Sequence, residues 1–144
     1  METNLTWKKN QLQFSSETRG HLVNMDTPES TNQIGPSPKE LVLQGLAGCS
    51  AMDVISILEK MRQPVEEFTI KATTDLTDDH PRVFTNLKMI FELKGSLDPE
   101  KCKKSVEYSL TKYCGVAAML SKVTPVQFEL TLNGALIDSG IARF

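Results

Sequence analysis

SPKELVLQGLAGCSAMDVISILEKM, Ser37 to Met61, decides the fold of this chain. Ser37 is a good helix N-cap, and Pro38 suits the first helical position, where its missing N–H costs nothing. Glu40 stands three after Ser37 and completes a capping box. Pro64 sets the far limit, so the spacing predicts a helix from Pro38 to Arg62. Its first half, Leu41 to Met52, carries no charge on any face. A helix apolar all round is expected to be enclosed by other elements. Twelve charge-free residues fall short of the roughly 20 that a membrane span requires, so burial in protein is expected, with no membrane partner. The second half turns amphipathic, with Ile55, Leu58 and Met61 inward and Glu59, Lys60 and Arg62 outward.

On the C-terminal side the period changes from 3.6 to 2. Phe68, Ile70, Ala72, Thr74 and Leu76 alternate with polar neighbours, the cluster Asp78-Asp79-His80-Pro81 breaks the run, and Val83, Thr85, Leu87, Met89, Phe91 and Leu93 alternate again. Two such runs about a turn read as an antiparallel hairpin. Asp98-Pro99 opens a second helix with Asp at the N-cap and Pro at the first position. Cys102, Val106, Leu110 and Tyr113 form its apolar stripe. Tyr113-Cys114-Gly115 interrupts it before a short third helix, Val116 to Leu120. Val126, Phe128, Leu130 and Leu132 alternate as a last strand ending at Asn133-Gly134.

On the N-terminal side Leu5 and Trp7, Leu12 and Phe14, then Val23 and Met25 suggest two or three short strands, with Asn10 and Gly20 as turns. Asp26 to Pro38 is a polar loop. The chain of 144 residues is expected to be one domain: strands and loop over 1–36, a core over 37–133 and a tail over 134–144 that shows no clear pattern. The order of elements predicts α+β architecture, an antiparallel sheet wrapped around a long central helix.

Composition narrows the function. A net charge of −2 offers no basic field for nucleic acid or anionic membrane, and 6% aromatic residues make a poor base-stacking platform. No signal peptide is read at the N-terminus, so a cytoplasmic location with reduced thiols is expected. Three cysteines, Cys49, Cys102 and Cys114, with no CxxC or CxxH pair, argue against a disulfide framework and a structural zinc site. No metal and no cofactor is expected.

Cys49 lies among small residues, Gly45-Leu46-Ala47-Gly48-Cys49-Ser50-Ala51. Glycine in a helix interior costs about 1 kcal/mol against alanine, so two in one turn suggest close approach by another group. Cys49 reads either as an inert packing residue or as a reactive thiol; the latter needs a positive neighbour or helix N-terminus to lower its pKa. Cys114 reads as a corner residue or as a thiol at a helix start, where thiolate is favoured. Cys102 reads as core. A Cys–His hydrolase using His21 or His80 is weak, because no nucleophile elbow is present.

Ser37-Pro38-Lys39-Glu40-Leu41, Ala47-Gly48-Cys49-Ser50-Ala51 and Tyr113-Cys114 together closely resemble the OsmC/Ohr family, the osmotically inducible and organic hydroperoxide resistance proteins. The resemblance covers roughly Gly35 to Asn133 and is nearest to the small OsmC-like bacterial branch. It implies an intertwined homodimer, a peroxidatic Cys49, a resolving Cys114, and reduction of an organic hydroperoxide to its alcohol, reset by an external dithiol. The family also holds its thiolate with a glutamate and an arginine. Lys39 occupies the position of the Ohr glutamate, so Glu40 matches the neighbouring acidic position, and Arg19 is the arginine candidate. Leu46, Met52 and Ile55 would then favour organic peroxides, or serve simply as core. The alternative is a non-catalytic ligand-binding or redox-sensing member.

Overall fold

A computed structural model describes residues 1–9 and 11–144; Asn10, expected at a turn, lies outside the described residues. The chain forms two compact units, Met1–Val42 and Leu43–Phe144, with the boundary inside the first helix.

The N-terminal unit holds a three-stranded antiparallel meander, β1 (Asn4–Lys8), β2 (Gln13–Thr18) and β3 (His21–Met25). Arg19 and Gly20 both take positive φ, 52° and 80°, between the paired residues Thr18 and His21. Such a two-residue turn matches the right-handed twist of its strands. The loop that follows is organised by Asp26, which is buried and accepts from the Gln13 side chain and the Thr27 and Ile34 amides.

Helix α1 (Pro38–Lys60) starts as its sequence predicts. The Ser37 amide donates to the Glu40 carboxylate at 2.7 Å, and the Glu40 amide to Ser37 Oγ at 3.4 Å. It ends two residues before the expected Arg62. Arg62 instead takes φ 55°, its amide bonds Glu59 O, and the Gln63 amide bonds Leu58 O. This is a Schellman closure with arginine where glycine is usual.

In the C-terminal unit a four-stranded sheet runs β4 (Glu67–Leu76), β5 (Phe84–Lys94), β6 (Val126–Leu132), β7 (Ala135–Ile141), in that spatial order. The sheet is not wholly antiparallel: β5 and β6 pair in parallel. Parallel neighbours need a long crossover. Here it comprises α2 (Pro99–Tyr108), a single π turn (Ser109–Tyr113) and α3 (Gly115–Leu120). Residues 134–144, unplaced by pattern, supply β7, folded back through a positive-φ Asn133-Gly134 turn. Within β4–β5 the register shifts between Thr73 and Asp75, and Asn86 takes φ 49°. One residue is thereby added to the alternation, so Phe84 is buried where Thr85 was expected.

The core joins Leu46, Val54 and Leu58 of α1 to Leu87, Met89, Phe91 and Leu93 of β5, Cys102, Val106 and Leu110 of the crossover, and Val126 and Leu130 of β6. Among the described residues of the C-terminal unit, α1 is not enclosed on every face. Only Leu46, Ser50, Val54 and Leu58, one stripe at fourfold spacing, are buried, while Met52 is 78% exposed. Ile55 and Met61 are half-buried rather than inward. The close approach expected at Gly45 and Gly48 is also missing: beyond the helix's own backbone, no atom of the described residues lies within 4 Å of where a side chain would begin. By length and composition alone α1 could cross a membrane, but its buried stripe is part of the protein core.

Candidate functional site: two thiols and a carboxylate

Ser50 and Cys49 sit side by side on α1. Ser50 faces the core, and Cys49, half-buried, stands at its margin. Asp53 is one turn beyond Cys49, and residues four apart share a helix face. The crossover brings the third group. Asp98 caps α2, accepting from the Glu100 and Lys101 amides at 2.9 and 3.4 Å. The helix then widens: the Cys114 amide reaches back five residues to Ser109 O at 2.9 Å. Single π turns of this kind occur frequently at functional sites. The turn also removes Tyr113 from the expected buried stripe, leaving it half exposed.

The outcome is a cluster in which Cys49 Sγ, Cys114 Sγ and a carboxylate oxygen of Asp53 all lie within 4.8 Å of one another. Both cysteines are free thiols. Cys114 is the N-cap of α3, and its sulfur accepts from the Ala117 amide at 3.4 Å and from Ser50 Oγ at 3.2 Å. The helix-start position is therefore as expected, but the thiolate preference inferred from it is not. Cys114 is fully buried, and burial pushes its thiol above the ordinary value. The two donors oppose that rise, and neighbouring Cys49 adds to it. Desolvation of a charge outweighs two hydrogen bonds here.

Asp53 was not singled out by sequence reasoning. Its carboxyl is pushed up by burial, partly offset by the hydroxyl of Ser109, which donates at 3.2 Å. The available signal was its placement four residues after a candidate thiol, on a helix otherwise free of charge for a dozen residues. Asp53 also lines a cavity of about 330 Å³ with Ser56, Ile57, Lys60, Met61, Tyr108 and Tyr113. The residues expected to form an apolar wall do not line it: Leu46 is core and Met52 faces outward.

Glu40 lies in the first turn of α1, its carboxylate held below the ordinary range by the Ser37 amide and hydroxyl. Arg19 is exposed in the β2–β3 turn. Among the described residues the ion pairs are Lys88–Glu129, Lys94–Glu67 and Lys103–Glu100, none of which involves Arg19 or Glu40. Cys102 is fully buried in the core, as its stripe position implied.

Chemically, two adjoining thiols can interconvert with a disulfide, which requires sulfurs brought to about 2.05 Å. The same three residues also offer two sulfur donors and one carboxylate oxygen within 4.8 Å of one another, a mixed set of the kind a borderline cation accepts.

The chain that carries this arrangement has relatives among known proteins. The sequence profile described as "OsmC-like protein" matches residues 30–129. The chain belongs to the OsmC-like family. Protein YhfA of Escherichia coli K12 is 35% identical over 127 residues, which span 88% of this chain and 93% of YhfA. The crystal structure of a hypothetical protein from Aquifex aeolicus, 25% identical, superposes with a TM-score of 0.83 over 92% of this chain and 95% of its own. The organic hydroperoxide resistance protein OhrB of Bacillus subtilis shares the fold, with a TM-score of 0.68 at 16% identity over 91% of this chain and 98% of OhrB. The α+β architecture of the OsmC-like family thus accounts for both sheets and the long helix.

Proposed function

We propose that the protein is a thiol-dependent hydroperoxide reductase of peroxide-stress defence, with Cys49 as the peroxidatic residue and Cys114 as the resolving one. The observation that carries this reading is the approach of the two sulfurs to within 4.8 Å across 65 positions of sequence. Cys49 thiolate attacks the terminal oxygen of R–O–OH. The O–O bond breaks, ROH leaves, and Cys49 becomes a sulfenic acid. Cys114 then displaces that oxygen as water, forming a disulfide. An external dithiol restores both thiols by exchange.

The half-buried setting of Cys49 supports its role as the sulfur that meets substrate, and the full burial of Cys114 supports a thiol that acts second. Ile57, Met61, Tyr108 and Tyr113 beside Asp53 suit an organic rather than a small polar peroxide. Family resemblance assigns Arg19 and Glu40 to support of the thiolate. A homodimer is part of the same reading: the open flank of α1 at Gly45, Gly48 and Met52 suits a second copy of the chain. So is action in the cytoplasm, where dithiol reductants are plentiful.

The test is consumption of cumene hydroperoxide by reduced protein supplied with dithiothreitol. Turnover that vanishes in Cys49→Ser is expected; equal rates in wild type and Cys49→Ser would overturn the reading. A non-catalytic, redox-sensing member is the second reading, favoured by the engagement of Glu40 with Ser37. It predicts one stoichiometric oxidation and no turnover.

A further inference from the structure

Among the described residues, Asp53 forms a close group with the two thiols, and the reaction above leaves it without a task. Its carboxylate oxygen is within 4.8 Å of both sulfurs, and its position is fixed by Ser109 from the first residue of the π turn. With Cys49 Sγ and the Asp53 carboxylate oxygen no more than 4.8 Å apart, an oxygen carried by that sulfur on the side of Asp53 would lie close to the carboxyl.

We propose that Asp53 is the proton donor for disulfide closure, protonating the sulfenic oxygen of Cys49 as Cys114 displaces it. The proposal rests on the peroxidase reading and extends it to the second chemical step. The S–S bond forms as the S–O bond of Cys49 breaks, and the S–O electron pair leaves on oxygen. Asp53 supplies the proton that makes this oxygen water rather than hydroxide. Cys114 attacks as the thiolate it forms by losing its proton to water, and the carboxylate left on Asp53 regains a proton from water. The sulfenic sulfur is reduced, the Cys114 sulfur is oxidised, one water is released, and no further reductant is needed. A proton donor matters here because Cys114 is fully buried and hydroxide is a poor leaving group. Burial also keeps the acid form of Asp53 available above the ordinary aspartate range.

The experiment is a single turnover on reduced full-length protein with one equivalent of cumene hydroperoxide, following sulfenic acid by dimedone trapping and closure by thiol loss, across pH 5 to 9. Asp53→Asn should form sulfenic acid at the wild-type rate but close about 10²-fold or more slowly, the usual scale for loss of a general acid. In wild type the closure rate should carry a component that falls as pH rises through the Asp53 pKa; Asp53→Asn should lack it. A chemical control separates proton donation from placement. When Cys49 carries thionitrobenzoate, the departing group is a stable anion needing no proton, so Asp53→Asn should close that mixed disulfide at the wild-type rate. Ser109→Ala, which loosens Asp53 without removing it, should slow sulfenic closure by a smaller factor and answers the case in which Asp53→Asn does not fold. Normal sulfenic closure in Asp53→Asn, or equal slowing of both closures, overturns the role of Asp53 alone. Failure of wild type and Cys114→Ser to form any sulfenic acid overturns the peroxidase reading, and the proposal with it.

Discussion

Ser50 donates its hydroxyl to Cys114 Sγ at 3.2 Å, joining the middle of α1 to the N-cap of α3 across 64 positions of sequence. Both residues are fully buried. The bond holds the Cys114 thiol beside that of Cys49, and it opposes the upward push that burial exerts on Cys114.

Ser50→Ala should therefore raise the Cys114 pKa further and cost about 0.5–1.5 kcal/mol of stability, the usual net worth of one hydrogen bond. Alkylation of Cys114 against pH, in a Cys49→Ser background, should shift to higher pH. Urea melts of the single variant should report the lost stability; an unchanged alkylation profile would show that the bond does not tune the thiol.

The three cysteines should separate cleanly. Cys49→Ser abolishes peroxide consumption, because an unactivated serine is an inadequate nucleophile. Cys114→Ser leaves one stoichiometric reaction and traps sulfenic acid at Cys49. Cys102→Ser keeps turnover and loses only stability, since Cys102 is packed in the core with Val106 and Leu110. Peroxide loss and dimedone adducts by mass spectrometry decide all three.

The capping box gives a pH prediction with a definite sign. Glu40 is held below its ordinary pKa by the Ser37 amide and hydroxyl. Its contribution is present above the unfolded value and is lost as pH falls through the lower folded value. Acid denaturation of Glu40→Gln should lack that component. Ser37→Ala should cost about 1 kcal/mol at neutral pH, as for other N-cap serines. Denaturant midpoints at pH 3 and pH 7 check both.

Asn133 clasps Gly95 from the β6–β7 turn, its side chain donating to Gly95 O and accepting from Gly95 N, both at 3.0 Å. Gly95 itself takes φ 133°, and a side chain there would meet Pro64 O at 2.8 Å. Asn133→Ala should cost about 1–3 kcal/mol through the two lost bonds. Gly95→Ala should cost more, since strain at such a φ adds about 1–3 kcal/mol to the clash. Thermal melts that place Gly95→Ala above Asn133→Ala would contradict this ordering.

Much of the fold was legible because its signals are local. The Ser37 cap, the Asp98-Pro99 start and the alternation along β5 each lie within a few residues of the structure they specify. Residues 134–144 escaped because Ile137, Asp138 and Ser139 carry no clean alternation, and β7 is held by pairing with β6 rather than by its own pattern. The parallel β5–β6 pairing escaped for a like reason, as direction is set by the crossover and not by strand composition. Cys49 and Cys114 were singled out as candidate site residues by their sequence surroundings and by the resemblance, and Cys102 as core by its stripe. Asp53 and Ser50 were missed because a short polar residue on a long helix looks solvated until its partners from residues 109–114 are in place. The thiolate expectation for Cys114 failed because position along a helix is legible in sequence, whereas depth of burial is not.

The π turn at Ser109–Tyr113 gives the site an arithmetic of its own. Successive helical residues rotate by about 100° around the axis, so the added residue sets the angle at which Cys114 leaves the crossover. A descendant of this chain lacking any one of those five residues could keep Cys49, Asp53 and Cys114 unchanged and still point the second thiol away from the first. Inheritance of the site therefore depends on counting as well as on spelling: in aligning relatives, a gap placed between Tyr108 and Cys114 says more about whether the pair still meets than the presence of both cysteines does.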